Sequence, residues 1–127
     1  MSTEITPCGR VMLVEDDADI RAMVGMLLEL EGYQVVSTSN GGDALKILRD
    51  GERPCVILLD LMMPVMNGWQ FLAEQAQDPA IAPIPVVVMS GDGRGREKPA
   101  VARAAGFLKK PIDLQTLLNT VQRFARA

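Results

Sequence analysis

Five short runs rich in apolar and β-branched residues punctuate the chain: residues 10–15 (RVMLVE), 34–38 (QVVST), 55–59 (CVILL), 84–89 (IPVVVM) and 106–109 (GFLK). Several are continuous rather than alternating, the pattern of strands covered on both faces. Between them the apolar residues take helical spacing. Ile20, Met23, Val24, Leu27 and Leu28 share one face, and so do Leu114, Leu117, Leu118 and Val121. Shorter helices are predicted over 42–49, where Ala44, Leu45 and Leu48 align, and over 68–77, where Phe71, Leu72 and Gln75 align. Asn40-Gly41-Gly42, Asn67-Gly68 and Asp78-Pro79 supply turns, and Asp113 stands where an N-cap precedes the last helix.

The pattern is five β-α units in succession. Strict alternation implies a doubly wound parallel sheet with right-handed crossovers and helices on both faces. In such sheets ligands bind beyond the carboxyl ends of the strands. The residues there are polar: Glu15, Asp16 and Asp17 after the first strand, Asp60 after the third, Ser90 after the fourth, and Lys110-Pro111 after the fifth.

Composition narrows the classes. With 127 residues, 48% hydrophobic and 23% charged, the chain suits one domain and leaves no room for a separate output domain. A net charge of -3 argues against direct nucleic-acid binding, which concentrates Lys and Arg on one face. Residues 1–10 (MSTEITPCGR) lack the apolar core of a signal peptide, and no apolar run nears the roughly 20 residues that cross a bilayer, so a cytoplasmic protein with no membrane association is expected. Cys8 and Cys55 form no C-x-x-C motif, and Cys55, inside a strand pattern, reads as core filler. The absence of histidine excludes a Ser-His-Asp triad, a histidine-ligated metal and a phosphohistidine on this chain.

Carboxylates gathered on one rim repel one another unless their pKa values rise or a cation joins them. Mg2+ takes oxygen ligands and commonly bridges one or two carboxylates to a phosphate. The cluster therefore reads as a phosphoryl-transfer site, with Asp60 as nucleophile, Mg2+ and Lys110 offsetting charge on the equatorial oxygens, and Ser90 donating a hydrogen bond to one of them.

Val14-Glu15-Asp16-Asp17, Leu59-Asp60-Leu61-Met62-Met63-Pro64 with Asn67-Gly68, Met89-Ser90-Gly91 and Lys110-Pro111 together resemble the receiver domains of two-component response regulators. The resemblance spans residues 10–127, with 1–9 as an N-terminal tail. It implies an α/β, flavodoxin-like (βα)5 fold with a five-stranded sheet in the order 2-1-3-4-5. It makes Asp60 the phosphoacceptor, assisted by Ser90 and Lys110, with Ser90 and Phe107 as a switch pair. Mg2+ or Mn2+ would be held by Asp16 and Asp60 directly, by Glu15 through water, and by the backbone carbonyl of Met62. The Lys110-Pro111 bond is typically cis in this family, and Met62 and Asp92 occupy positions that influence phosphoryl lifetime.

The implied partners are a histidine kinase or histidine phosphotransfer protein upstream and a protein effector downstream. The effector surface would comprise the fourth helix, fifth strand and fifth helix, through which phosphorylation-dependent dimerisation is also open. Such a stand-alone switch is not an enzyme beyond its own phosphorylation and dephosphorylation.

Two alternatives remain: a phosphate-independent interaction module of the same fold, and an aspartate-nucleophile Mg2+ phosphatase. The phosphatase generally needs an acid two residues after the nucleophile, where this chain has Met62. Individual residues also have plainer readings. Asp17 reads as a helix cap, Trp69 and the eight methionines as packing, and residues 91–98 (GDGRGREK) as a mobile loop matching no phosphate-loop pattern. Pro99 falls within the expected fourth helix, which it would shorten or displace.

Overall fold

The computed structural model describes residues 8–63, 66–91 and 104–126. The five apolar runs form β1 (Arg10–Val14), β2 (Gln34–Thr38), β3 (Val56–Asp60), β4 (Val86–Ser90) and β5 (Gly106–Lys109). All pair in parallel, in the order β2-β1-β3-β4-β5. Four helices lie among the described residues: α1 (Ala18–Leu30), α2 (Gly41–Arg49), α3 (Gly68–Ala76) and α4 (Leu114–Gln122), the last being the helix expected fifth. The expected helix between β4 and β5, with Pro99 and Asp92, and nearly all of the 91–98 loop lie outside the described residues.

Alternate residues of the strands feed two cores. On one side Met12, Val14, Ile57, Leu59, Val86 and Val88 meet Ala44, Leu45 and Leu48 of α2 and Phe71 and Leu72 of α3. On the other, Val11, Leu13, Val56, Leu58, Val87 and Met89 meet Val24 and Leu28 of α1 and Leu117 and Val121 of α4. Every residue of β3 and β4 is buried, which is why their sequences run apolar without alternation.

Capping fixes where the helices begin. The Asp17 carboxylate accepts from the N–H groups of Asp19 and Ile20 at 2.9 and 3.1 Å, and Asp113 accepts from Thr116 N–H at 2.9 Å, as expected of both. Asn40 and Asn67, expected only to mark turns, prove to be the caps of α2 and α3. Asn67 and Gln70 bond reciprocally in a capping box.

Three expectations need correction. β3 and β4 each begin and end later than the sequence pattern suggests, so Asp60 and Ser90 are the last residues of their strands rather than the first beyond them. Parallel pairing carries both residues into the ladder, Asp60 opposite Met89 and Ser90 opposite Lys109. Met23 and Leu114 are 44% and 39% exposed, because each stands at the margin of its stripe while Val24, Leu28, Leu117 and Val121 take the centre. Finally, Cys55 is more than core filler: it packs against the α1 and α4 side of the sheet and is disulfide-bonded to Cys8. Their sequence separation of 47 hides this pairing from local sequence patterns.

Candidate functional site

β1 and β3 are neighbours, yet the chain leaves β1 toward β2 and leaves β3 toward β4, so the order of winding reverses between them. A crevice opens at such a point beyond the carboxyl ends of the strands. Glu15 and Asp16 follow β1 and Asp60 ends β3, so the crevice is lined by acids from both sides. A carboxylate oxygen from each of the three lies within 4.8 Å of the others.

Glu15 is wholly buried and Asp60 is 2% exposed, while Asp16 is exposed to solvent. Among the described residues the Glu15 and Asp60 carboxylates ion-pair with Lys110, carried in from the end of β5. Its Nζ stands 2.8 Å from Glu15 Oε1 and 3.4 Å from Asp60 Oδ1. Burial pulls the lysine's pKa down, but the hydrogen bond it donates to Glu15 and the charge of Asp60 more than offset this and leave it raised. Asp60 is pushed up to about 8, first by burial and then by hydrogen bonding with Glu15 and Asp16, against a smaller lowering by the Met62 N–H. A lone lysine does not balance this many acids, so the site is electrostatically under-neutralised.

The local backbone holds the cluster in place. Glu15 N–H donates to Thr38 O at 3.0 Å, extending the β1–β2 ladder past the strand. Asp17 N–H donates to Glu15 Oε2 at 3.2 Å, and Met62 N–H to Asp60 Oδ1 at 3.1 Å. Gly68 closes the other wall: a Cβ there would stand 2.7 and 2.8 Å from Leu61 atoms and 2.9 Å from the Asp60 carbonyl oxygen, so only glycine allows α3 to start this close. Arg21, on the first turns of α1, donates to the carbonyls of Glu15 at 2.7 Å and Asp16 at 3.4 Å. The sequence reading missed Arg21, and it took Gly68 as a turn residue and as part of the receiver resemblance. The five-residue step from Asp16 to Arg21, rather more than one helical turn, was the available signal for the arginine.

Of the residues singled out from sequence, Glu15, Asp16, Asp60 and Lys110 are brought together. Ser90, buried, ends the neighbouring strand, and its carbonyl accepts from Lys110 N–H at 2.9 Å. Met62 is 60% exposed two residues beyond Asp60. Phe107 is half-buried on β5 against the α2 and α3 side of the sheet, and the Lys110-Pro111 bond is cis. A cavity of about 720 Å³ between α3 and the start of β4 carries no titratable side chain, so the acidic crevice is the candidate site despite that volume.

A doubly wound sheet with an acidic crevice at its switch point, a buried aspartate ending the third strand and a lysine arriving from the fifth define the receiver class of signalling domain. The chain belongs to the response regulator receiver domain family, whose model matches residues 11–122. It is therefore a receiver domain of two-component signalling. It is 33% identical over 114 residues to Protein PilH of Pseudomonas aeruginosa, covering 88% of this chain and 93% of that protein. Among solved structures it resembles the chemotaxis response regulator CheY4 of Vibrio cholerae, with 31% identity, a TM-score of 0.82 and coverage of 92% and 98% of the two chains. It is similar as well to a response regulator receiver protein from Pseudomonas putida, with 26% identity, a TM-score of 0.84 and coverage of 94% and 99%. Among the described residues no helix is long and apolar enough to cross a membrane.

Proposed function

We propose that residues 10–127 act as a phosphorylation switch in which Asp60 accepts a phosphoryl group from the phosphohistidine of a histidine kinase or histidine phosphotransfer protein. The observation that carries this reading is the Asp60 carboxylate, buried and crowded by Glu15 and Asp16, with Lys110 only 3.4 Å away. An Asp60 oxygen attacks phosphorus, the P–N bond to the donor imidazole breaks, and the imidazole leaves with the bonding pair. Lys110 stands where it can pair with the phosphoryl oxygens as they approach, and the Ser90 hydroxyl donates to one of them. The half-buried Phe107 ring responds through packing.

Hard carboxylate oxygens in an under-neutralised cluster fit Mg2+ or Mn2+. Asp16 and Asp60 would hold the ion directly, Glu15 through water, and Met62 through its backbone carbonyl. When bound, it supplies positive charge that offsets the carboxylates and the transferring phosphoryl group.

The added phosphoryl carries roughly two negative charges, which bias the domain between two surface states. The output is binding to a downstream protein, with the phosphorylated surface also available for self-association. The domain acts in the cytoplasm as a switch rather than as an enzyme with a turned-over substrate, and Met62 in place of a second acid leaves the phosphatase reading without its general acid.

The test is intact-protein mass after incubation with acetyl phosphate, with and without Mg2+, beside Asp60→Asn. Gain of one phosphoryl group that requires both Mg2+ and Asp60 is expected. Absence of any adduct, with partner binding equal in wild type and variant, would replace the switch with a phosphate-independent interaction module.

A further inference from the structure

At the opposite pole, Cys8 and Cys55 are bonded across the amino ends of β1 and β3, with Cα atoms 6.0 Å apart. That separation lies within the range a disulfide spans without backbone movement. The backbone already holds the two segments together. Cys55 N–H donates to Arg10 O at 3.0 Å, Gln34 N–H to Gly9 O at 2.8 Å, and Arg126 N–H to Cys8 O at 2.9 Å. Backbone hydrogen bonds thus flank the disulfide and hold both cysteine segments in the fold. The pair is also asymmetric: Cys8 is exposed, whereas Cys55 is half-buried against the core.

We propose that Cys8 and Cys55 form a reversible thiol–disulfide site, with Cys8 the sulfur that exchanges with solvent thiols and Cys55 the resolving one. In the dithiol form, the Cys8 thiolate attacks a low-molecular-weight disulfide such as oxidised glutathione. One glutathione thiolate leaves and a mixed disulfide remains on Cys8. The Cys55 thiolate then attacks Cys8 Sγ and expels the second glutathione. The two protein thiols thereby lose two electrons and two protons, and the electrons reduce oxidised glutathione to two thiols. Reduction runs the same steps backward, beginning with attack on the exposed Cys8 sulfur. Disulfides of cytosolic proteins are usually transient or redox-sensing, and exposed ones are the labile ones.

The link ties the segment entering the central strand to its neighbour and closes a long loop, so it acts on the stability of the fold. The phosphoacceptor lies at the other end of β3, about 16 Å away for a five-residue strand, so the chemistry at Asp60 is left untouched.

Wild-type protein equilibrated with oxidised glutathione should lose two hydrogens within one chain. It should regain them in excess reduced glutathione, and in the oxidised form melt on the order of 10 °C higher. Cys55→Ser should stop at one glutathione on Cys8, while Cys8→Ser should take up none. Acetyl-phosphate labelling should proceed at the same rate in the oxidised and reduced wild type. The proposal is overturned by thiols that survive excess oxidised glutathione, by a link joining two chains, or by a link that excess reduced glutathione leaves intact.

Discussion

Replacing Asp60 with asparagine should make the empty domain more stable, although it removes the proposed phosphoacceptor. The carboxyl of Asp60 is raised from 3.8 to about 8 by burial and by Glu15 and Asp16, so the folded state holds its proton more tightly than the unfolded chain does. The resulting stabilisation is fully present below pH 3.8 and is lost as pH climbs through about 8. A difference of roughly 4 pKa units, at about 1.36 kcal/mol each, sets an upper bound of about 6 kcal/mol on the cost of ionising Asp60 in the metal-free fold.

Asparagine keeps the shape and can still accept from Met62 N–H, but it forgoes the attraction of Lys110 at 3.4 Å. The net gain expected above pH 8 is therefore about 1–3 kcal/mol, or roughly 3–10 °C in melting temperature. Urea unfolding of both proteins from about pH 5 to pH 9, without Mg2+, provides the assay. The gap should be smallest at the acid end, where folded Asp60 is protonated and resembles asparagine, and widen as pH rises toward about 8. Mg2+ should stabilise wild type more and close the gap. A variant no more stable than wild type at the alkaline end, or a gap that ignores pH, would refute the electrostatic account.

Lys110→Ala should act in the opposite direction, lowering stability by on the order of 2 kcal/mol because the Glu15 carboxyl is left buried without its 2.8 Å partner; thermal melts above pH 7 would show it. Gly68→Ala should cost about 1–3 kcal/mol, since the new Cβ meets backbone atoms of Asp60 and Leu61 that cannot rotate away, and calorimetry with Mg2+ should show weaker binding. Arg21→Ala should weaken Mg2+ binding several-fold with little loss of helicity, because the β1–α1 carbonyls lose their donor, and Arg21→Lys should restore part of it. Asn67→Ala removes the capping box of α3 and should shift the urea midpoint by the equivalent of about 1 kcal/mol.

What the sequence made legible was whatever repeats along it. Burial on both faces turned β3 and β4 into unbroken apolar runs, and the covered faces of α2 and α3 left Ala44, Leu45, Leu48, Phe71, Leu72 and Gln75 at helical spacing. The site acids could be found because strand ends in an alternating fold point to one rim. Less legible was anything set by contacts between distant segments. Arg21 acts through carbonyls, which carry no residue-type signal. Gly68 is required by the approach of Leu61 across a turn, and Cys8 meets Cys55 only once β1 and β3 pair. Met23 shows a related limit: periodicity says which face is apolar, not how far the sheet extends beneath it.

The placement of the site on β1 and β3 explains how the fold tolerates it. Both strands are central, with two apolar cores pressing on them from opposite sides, so their ends cannot splay to relieve the crowding of Glu15 and Asp60. An acid cluster on a loose loop would separate its charges and lose its affinity for cations. Here the strain stays electrostatic. Lys110 is shared unequally between Glu15 and Asp60, so it relieves only part of that strain. What remains would be available to a divalent cation binding at the proposed site, and by the same electrostatics the charge of the proposed phosphorylation at Asp60 would alter how Lys110 and the end of β5 are held.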